Sequence, residues 1–229
     1  MKVGVIIPAA GQGRRMGRDM NKQYLLLNGR PILAHTLSLF FSSGKKFDQI
    51  TVVVRPQEKE YCYQNVIQKY FPGKPIKLVS GGETRRESVY AGLKSFSPEI
   101  DYVIIHDGAR PLMPYPVLER VLKGIVEYDA VTTGVRVKDT IKFINGGGFV
   151  SNTPDRGKLI AVQTPQAFRY DIIKKAHEEI SSDIQVTDDA FLVEKLGYPV
   201  KVIKGSYDNI KVTTPVDLII AEAILKTGD

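Results

Sequence analysis

Strand-like and helix-like segments alternate through most of the 229 residues, and that alternation predicts an α/β protein, a mostly parallel sheet flanked by helices. Two further observations agree. The first apolar run, Val3, Val5, Ile6 and Ile7, is near-continuous and β-branched, as in a parallel strand buried on both faces. The polar, glycine-punctuated clusters follow such runs, where open α/β sheets place their ligands. With 43% hydrophobic residues and no proline-rich or low-complexity linker, the chain reads as one domain, 1–229.

After the first strand, Tyr24 to Leu27 and a turn at Asn28-Gly29 lead through Pro31 into an apolar-periodic helix ending near Phe41. Gln49 to Val54 is the second strand, with a helix from about Gln57 to Tyr70. Ile76 to Val79 is the third, broken by Gly81-Gly82 before a helix from Thr84 to about Lys94. Asp101 to Ile105 is the fourth, followed by a helix over Pro116 to Glu127 and a strand from Ala130 to Val137. Helices are then expected near Tyr170 to Ile180 and Thr187 to Leu196, a strand at Val200 to Ile203, and a last helix from Pro215 to Leu225.

Between the fifth strand and those helices the pattern changes. Residues 138–163 hold Thr140, Ile141 and Phe143, a glycine triplet at Gly146 to Gly148, then Phe149 and Val150, the cue for two extended segments around a glycine-rich turn. They are expected to project as a β-arm. A second subunit is the simplest cover for its exposed edge, so the arm predicts a homodimer.

Composition narrows the partners. A formal charge of +7 favours anions. No long Lys/Arg block, zinc-ligand spacing or aromatic-interleaved basic motif is present, so small phosphorylated molecules are favoured over nucleic acid. No apolar run approaches the roughly 20 residues that span a bilayer, and no secretory signal pattern opens the chain. The single cysteine, Cys62, rules out an internal disulfide framework. A cytoplasmic protein with no membrane partner is the expectation.

Val5 to Gln23 read VIIPAAGQGRRMGRDMNKQ. Ala9, Ala10, Gly11 and Gly13 leave the backbone uncovered, so its N–H groups can approach a polyphosphate, and Arg14, Arg15 and Lys22 add fixed positive charge. Neither common glycine motif fits. A P-loop and a dinucleotide fingerprint each place a glycine where Met16 stands.

Three further clusters follow. Gly81 to Ser88 opens a helix, so its N–H groups and Ser88 suit a base edge or a phosphate, while Thr84 and Glu87 form a capping-box pattern. His106 to Pro111 follows the fourth strand. There Asp107 is placed to orient a hydroxyl or help hold Mg²⁺, or else to pair with Arg110 and tie down a turn. In Asp208 to Pro215, Thr214 is the expected N-cap with Pro215 in the first turn, and Asp208 and Lys211 lack such a structural role. Thr140, Arg156 and Thr164-Pro165-Gln166 read as surface residues from physics alone. His35 and His177 fall within helical patterns and read as packing or surface histidines.

In order, PAAGQGRRMG, NKQY, GGETRRESV, HDGARP, TPQAF, VTDDA and DNIKVT resemble the motifs of the 2-C-methyl-D-erythritol 4-phosphate cytidylyltransferases. Together they span Pro8 to Thr213. One departure is mild: the family usually has proline before the lysine, where this chain has Asn21. The resemblance implies a Rossmann-like nucleotidyltransferase domain, a dimer joined through the β-arm, and Mg²⁺-dependent transfer of CMP from CTP to a polyol phosphate. By position, Arg15 and Lys22 would stabilise the transition state. Arg156 and Lys211 would position the acceptor phosphate with Thr140, Asp107 and Asp208 nearby, the arm residues acting on the neighbouring subunit's site. Ala9, Ala10, Gly11, Gly13, Gly82 and Ser88 would contact CTP. The resemblance assigns no metal ligands. Its nearest rivals are a ribitol-5-phosphate cytidylyltransferase and, from another class, a non-catalytic nucleotide- or nucleic-acid-binding protein.

Overall fold

In the computed structural model of the chain, residues 1–11, 21–181 and 183–227 are described. In chain order they form strand β1 (Val3–Pro8), a hairpin of β2 (Leu26–Leu27) and β3 (Arg30–Pro31), helix α1 (Ile32–Phe41) and strand β4 (Gln49–Val54). Helix α2 (Lys59–Cys62), strand β5 (Ile76–Ser80), helix α3 (Arg85–Lys94), strand β6 (Tyr102–Ile105), helix α4 (Tyr115–Tyr128) and strand β7 (Ala130–Arg136) follow. The chain closes with β8 (Phe143–Ile144), β9 (Val150–Asn152), β10 (Ile160–Arg169), α5 (Tyr170–Glu179), α6 (Asp189–Lys195), β11 (Lys201–Lys204) and α7 (Pro215–Thr227).

Seven strands form one sheet in the order β11-β7-β10-β6-β1-β4-β5. All neighbours pair in parallel except β10, which runs antiparallel to both β6 and β7. The period of two along each strand divides the core. Val5 and Ile7 of β1, Val52 and Val54 of β4 and Ile104 of β6 face α1 and α4. Ile6, Val53, Val103 and Ile105 face α3, α5 and α6. Both faces are covered, which is why the strands read as continuous apolar runs. A smaller cluster packs α7 through Ala221 on Leu25, Leu27, Ile32 and Leu112.

The Asn28-Gly29 turn has φ of 47° and 76°, the left-handed pair of a type I′ hairpin. The helix expected over Gln57 to Tyr70 is composite: a 3₁₀ turn at Pro56–Glu58, then α2, then a π-helical stretch at Tyr63–Gln68. The helix expected from Thr187 begins at Asp189, with the Asp188 side chain capping it through the Phe191 N–H.

The expected arm at 138–163 is corrected at its far end. Ile160 to Gln163 pair with Arg136 to Thr133 of β7 and belong to the main sheet. The strand then continues to Arg169 across a register shift between Gln163 and Gln166, around the cis Thr164–Pro165 bond. What projects is the β8–β9 hairpin, whose residues are all exposed, with Phe143, Ile144, Phe149 and Val150 bare.

Candidate active site

From β1 the chain crosses to β4 and β5 on one side, and later returns to β6 on the other. The β1/β6 boundary is therefore the switch point where an open sheet leaves a crevice at its carboxyl edge. A pocket opens there, lined by Pro8 at the end of β1, Ala10 and Gly11 after it, Gly82 to Arg85 and Ser88 after β5, and Asp107 to Ala109 after β6. Lys22, Gln23 and Lys211 complete its wall. A second pocket continues from the shared residues Arg85, Asp107 and Lys211 toward Thr164, Gln166 and Asp188.

Backbone bonds shape the first wall. The Ala9 N–H is spent on the Val53 carbonyl, the Gly81 N–H on Val54 and the Gly108 N–H on Pro8. Ala9 is thus a buried support beneath the crevice and is absent from its lining, which corrects its placement beside Ala10 as an exposed donor. The carbonyls of Ala9 and Ala10 are held by Gln23 Nε2 at 2.7 Å and Arg55 Nε at 3.1 Å. Close approach fixes Gly81: a Cβ there would stand 2.6 Å from the Ser88 hydroxyl and 2.9 Å from the Ala10 methyl.

The capping box of α3 is complete. The Thr84 hydroxyl accepts from the Glu87 N–H, and the Glu87 carboxylate accepts from the N–H groups of Thr84 and Glu83. Those bonds lower the Glu87 pKa. Ser88 is buried and donates to the Thr84 carbonyl, leaving its lone pairs at the pocket wall.

Asp107 is the electrostatic centre. Lys211 Nζ lies 2.8 Å from Oδ2, Arg85 Nε 3.4 Å from Oδ1 and Arg110 Nε 3.5 Å from Oδ2. Burial opposes its ionisation, but the charges of Arg85, Lys211 and Arg110 prevail and hold the carboxyl well below the usual range. Arg85, Arg110 and Lys211 are set against Asp107 and, behind Arg85, Asp189, while Lys22 and Glu83 offset each other on the wall, so the crevice keeps a small surplus of positive charge. The carboxylate pairs with Arg110, as one sequence reading had it, and with two more cations, an arrangement that suits a charge-gathering hub better than a metal ligand. Behind it, Arg85 Nη2 donates to the fully buried Asp189 at 2.6 Å. Burial works against the Arg85 charge, and Asp189 and Asp107 more than restore it, so its pKa is raised.

His106 is buried beneath this hub. Its Nε2 lies 3.0 Å from the Arg110 carbonyl and its Nδ1 3.2 Å from the Thr164 hydroxyl, which also accepts from the Asp107 N–H. The carbonyl partner requires a proton on Nε2, and the Thr164 hydroxyl can donate to Nδ1 of the neutral ring. Burial pushes its pKa down to about 4.

The structure thus brings Ala10, Gly11, Lys22, Gly82, Ser88, Asp107 and Lys211 to one crevice. Thr140 and Arg156 are exposed on the arm, where Arg156 donates to the Lys138 carbonyl. Asp208 is exposed, accepts from the Ser206 hydroxyl and lines neither pocket. Gly13, Arg14 and Arg15 lie outside the described residues. Arg85, Asp189, Gln23 and Arg55 went without roles in the sequence. Arg85, Gln23 and Asp189 carried a signal there, as members of the GGETRRESV, NKQY and VTDDA clusters, and Arg55 carried none.

A mostly parallel sheet with a basic, glycine-walled crevice at its switch point defines a nucleotide-handling α/β protein of the nucleotidyltransferase class. The family model described as 2-C-methyl-D-erythritol 4-phosphate cytidylyltransferase matches residues 3–227. The chain is 43% identical to the protein of that name from Caldanaerobacter subterraneus subsp. tengcongensis, over 99% of this chain and 100% of that one. It is 48% identical to the Alkaliphilus metalliredigens protein, over 98% and 93%. Its fold matches the crystal structure of 4-diphosphocytidyl-2C-methyl-D-erythritol synthase from Anaerococcus prevotii with a TM-score of 0.86 at 35% identity, covering 98% and 96% of the two chains. The chain belongs to the 2-C-methyl-D-erythritol 4-phosphate cytidylyltransferase family.

Proposed function

We propose that this chain transfers CMP from CTP to 2-C-methyl-D-erythritol 4-phosphate, forming 4-diphosphocytidyl-2-C-methyl-D-erythritol and pyrophosphate in non-mevalonate isoprenoid precursor synthesis. Strands from both ends of the chain, β1 and β11, share the sheet, so 1–229 acts as one catalytic domain. The observation that carries the reading is the convergence of Arg85, Arg110 and Lys211 on Asp107, beside the open backbone of Ala10 and Gly11. Two polyanions must meet in this reaction, and a crevice with surplus positive charge offsets their repulsion.

A phosphate oxygen of the acceptor attacks the α-phosphorus in line, and the bond from that phosphorus to the β-phosphate oxygen breaks, its electron pair leaving with pyrophosphate. The nucleophile has a second pKa of about 6 and is ionised near neutrality, so no general base is needed. Lys22 and Arg15 stabilise charge at the reacting phosphorus, while Gly13 belongs with Ala10 and Gly11 to the phosphate cradle. Gly82 and Ser88 take the cytosine edge. Lys211, positioned by Asp107, takes the acceptor phosphate.

Mg²⁺ would be held chiefly by the phosphates of CTP and would supply charge that offsets the triphosphate. Among the described residues no group of three His, Cys, Asp or Glu forms a cage, and Asp107 is committed to cations, so the donor set suits a phosphate-borne metal. The bare apolar residues of the β8–β9 hairpin support a homodimer in which Thr140 and Arg156 reach the neighbouring crevice, with Asp208 beside it. A cytoplasmic location accords with the lone, buried Cys62 thiol, and among the described residues no helix is long and apolar enough to cross a membrane.

The deciding assay supplies CTP and Mg²⁺ with a panel of polyol phosphates and follows pyrophosphate. Methylerythritol phosphate should be turned over far faster than ribitol 5-phosphate. The reverse preference would reassign the acceptor, and no turnover with any acceptor would make the protein a binder.

A further inference from the structure

Glu58 does not line the crevice, yet it bonds to side chains of two stretches that supply its lining. Asn21 Nδ2 lies 3.1 Å from each of its carboxylate oxygens, and Tyr24 Oη 3.5 Å from Oε2. Arg55 Nη1 lies 4.0 Å from Oε1, and the Nε of the same guanidinium donates to the Ala10 carbonyl at 3.1 Å. One carboxylate thus joins the end of the β1 loop, through Arg55, to the residue preceding Lys22. The carboxylate is mostly shielded, with 16% of the side chain exposed, and Asn21 is buried. Facing two acceptor oxygens, the Asn21 side chain must present its NH₂, so its orientation is fixed.

We infer that Glu58 is a positioning residue for the nucleotide end of the crevice, acting through Asn21 on the backbone that presents Lys22 and through Arg55 on the Ala10 peptide. The backbone conformation of Asn21, φ −60° and ψ 134°, supports this. A proline ring imposes φ of about −65° by covalent means. Here an amide held by a carboxylate fixes the same conformation through a side chain. Lys22 and Ala10 both face the place where the triphosphate lies in the proposed reaction, so this inference rests on that reading.

The test measures Mg·CTP affinity by calorimetry, and kcat and both KM values by pyrophosphate release. Four variants are compared: Glu58→Ala, Asn21→Ala, their combination, and Asn21→Pro with Glu58→Ala. Each single change should weaken CTP binding and lower kcat about tenfold, the scale of a modest misplacement, while the acceptor KM stays unchanged. The double alanine variant should be no worse than Glu58→Ala alone, since the contact that Asn21→Ala removes is already lost with the Glu58 carboxylate. Proline at 21 should recover most of the loss. Multiplicative losses, unchanged singles, or a proline variant no better than the double alanine would overturn the inference.

Thermal melts accompany each variant. If Glu58→Ala alone loses structure, Asn21→Ala against Asn21→Pro in the unmodified background decides, because proline should then match wild type and alanine should not. A wild-type protein that binds CTP but turns over no acceptor defeats the proposed reaction and leaves the binding ratios to decide this inference. A wild-type protein that does not bind CTP overturns both.

Discussion

At the residue scale, the contact between Lys211 and Asp107 has unequal ends. Asp107 is buried among three cations, so Asp107→Asn leaves buried positive charge uncompensated and should cost about 3 kcal/mol in urea unfolding. Lys211 has 38% of its side chain exposed, and Lys211→Met should cost about 1 kcal/mol or less. Activity should reverse the order of interest. Loss of a cation aimed at a phosphate typically lowers kcat by about 10² to 10³, so the Lys211 variant should be stable but slow. Equal stability losses in the two variants would contradict the hub. DNIKVT and HDGARP marked these residues in the sequence, but the pairing of Arg85 with Asp189, 104 positions apart, was hidden because no periodicity connects distant clusters. Asn209 was hidden for a different reason. It is fully buried and donates to the Thr164 carbonyl, a role that a polar residue in a turn-rich stretch does not advertise.

At the element scale, His106 is the joint between β6, β10 and the turn at Arg110. Its pKa in the folded chain, about 4, lies below the ordinary 6.5. As pH falls through 6.5 the unfolded chain takes up this proton first. Stability present in full above that pH is therefore lost progressively down to about 4, by at most about 3 kcal/mol. Melting curves from pH 7 to 4.5 should show the decline, and His106→Gln should flatten it. A variant that declines as steeply as wild type would remove His106 as the cause. Most strands were legible because burial on both faces writes itself as a β-branched run. β10 was not: IAVQTPQAFR is interrupted by polar residues and a proline, and a proline ordinarily argues against a central strand. The register shift between Gln163 and Gln166 is what admits it. Gln166 explains part of the polarity, since it is fully buried and bonded to Thr132, Asp188 and the first N–H groups of α6.

At the scale of the whole molecule, the arm sets the proposed division of labour. If Arg156 serves the neighbouring crevice, mixing inactive Arg156→Ala and Lys22→Ala subunits should restore some activity, because one site of each hybrid dimer is intact. No recovery after verified subunit exchange would place Arg156 in its own crevice. The glycine triplet and flanking aromatics made the arm legible, while its far boundary was lost in the unrecognised β10. That boundary bears on how the chain can be edited. Arg136 and Ile160 are directly paired across β7 and β10, so the hairpin is spliced into a ladder already closed beneath it. Replacing residues 137–159 by a short Asn-Gly turn should give a folded, monomeric and inactive protein, readable by size-exclusion chromatography and circular dichroism. The arm would then be a detachable module, and folding and assembly two separable properties of one gene product.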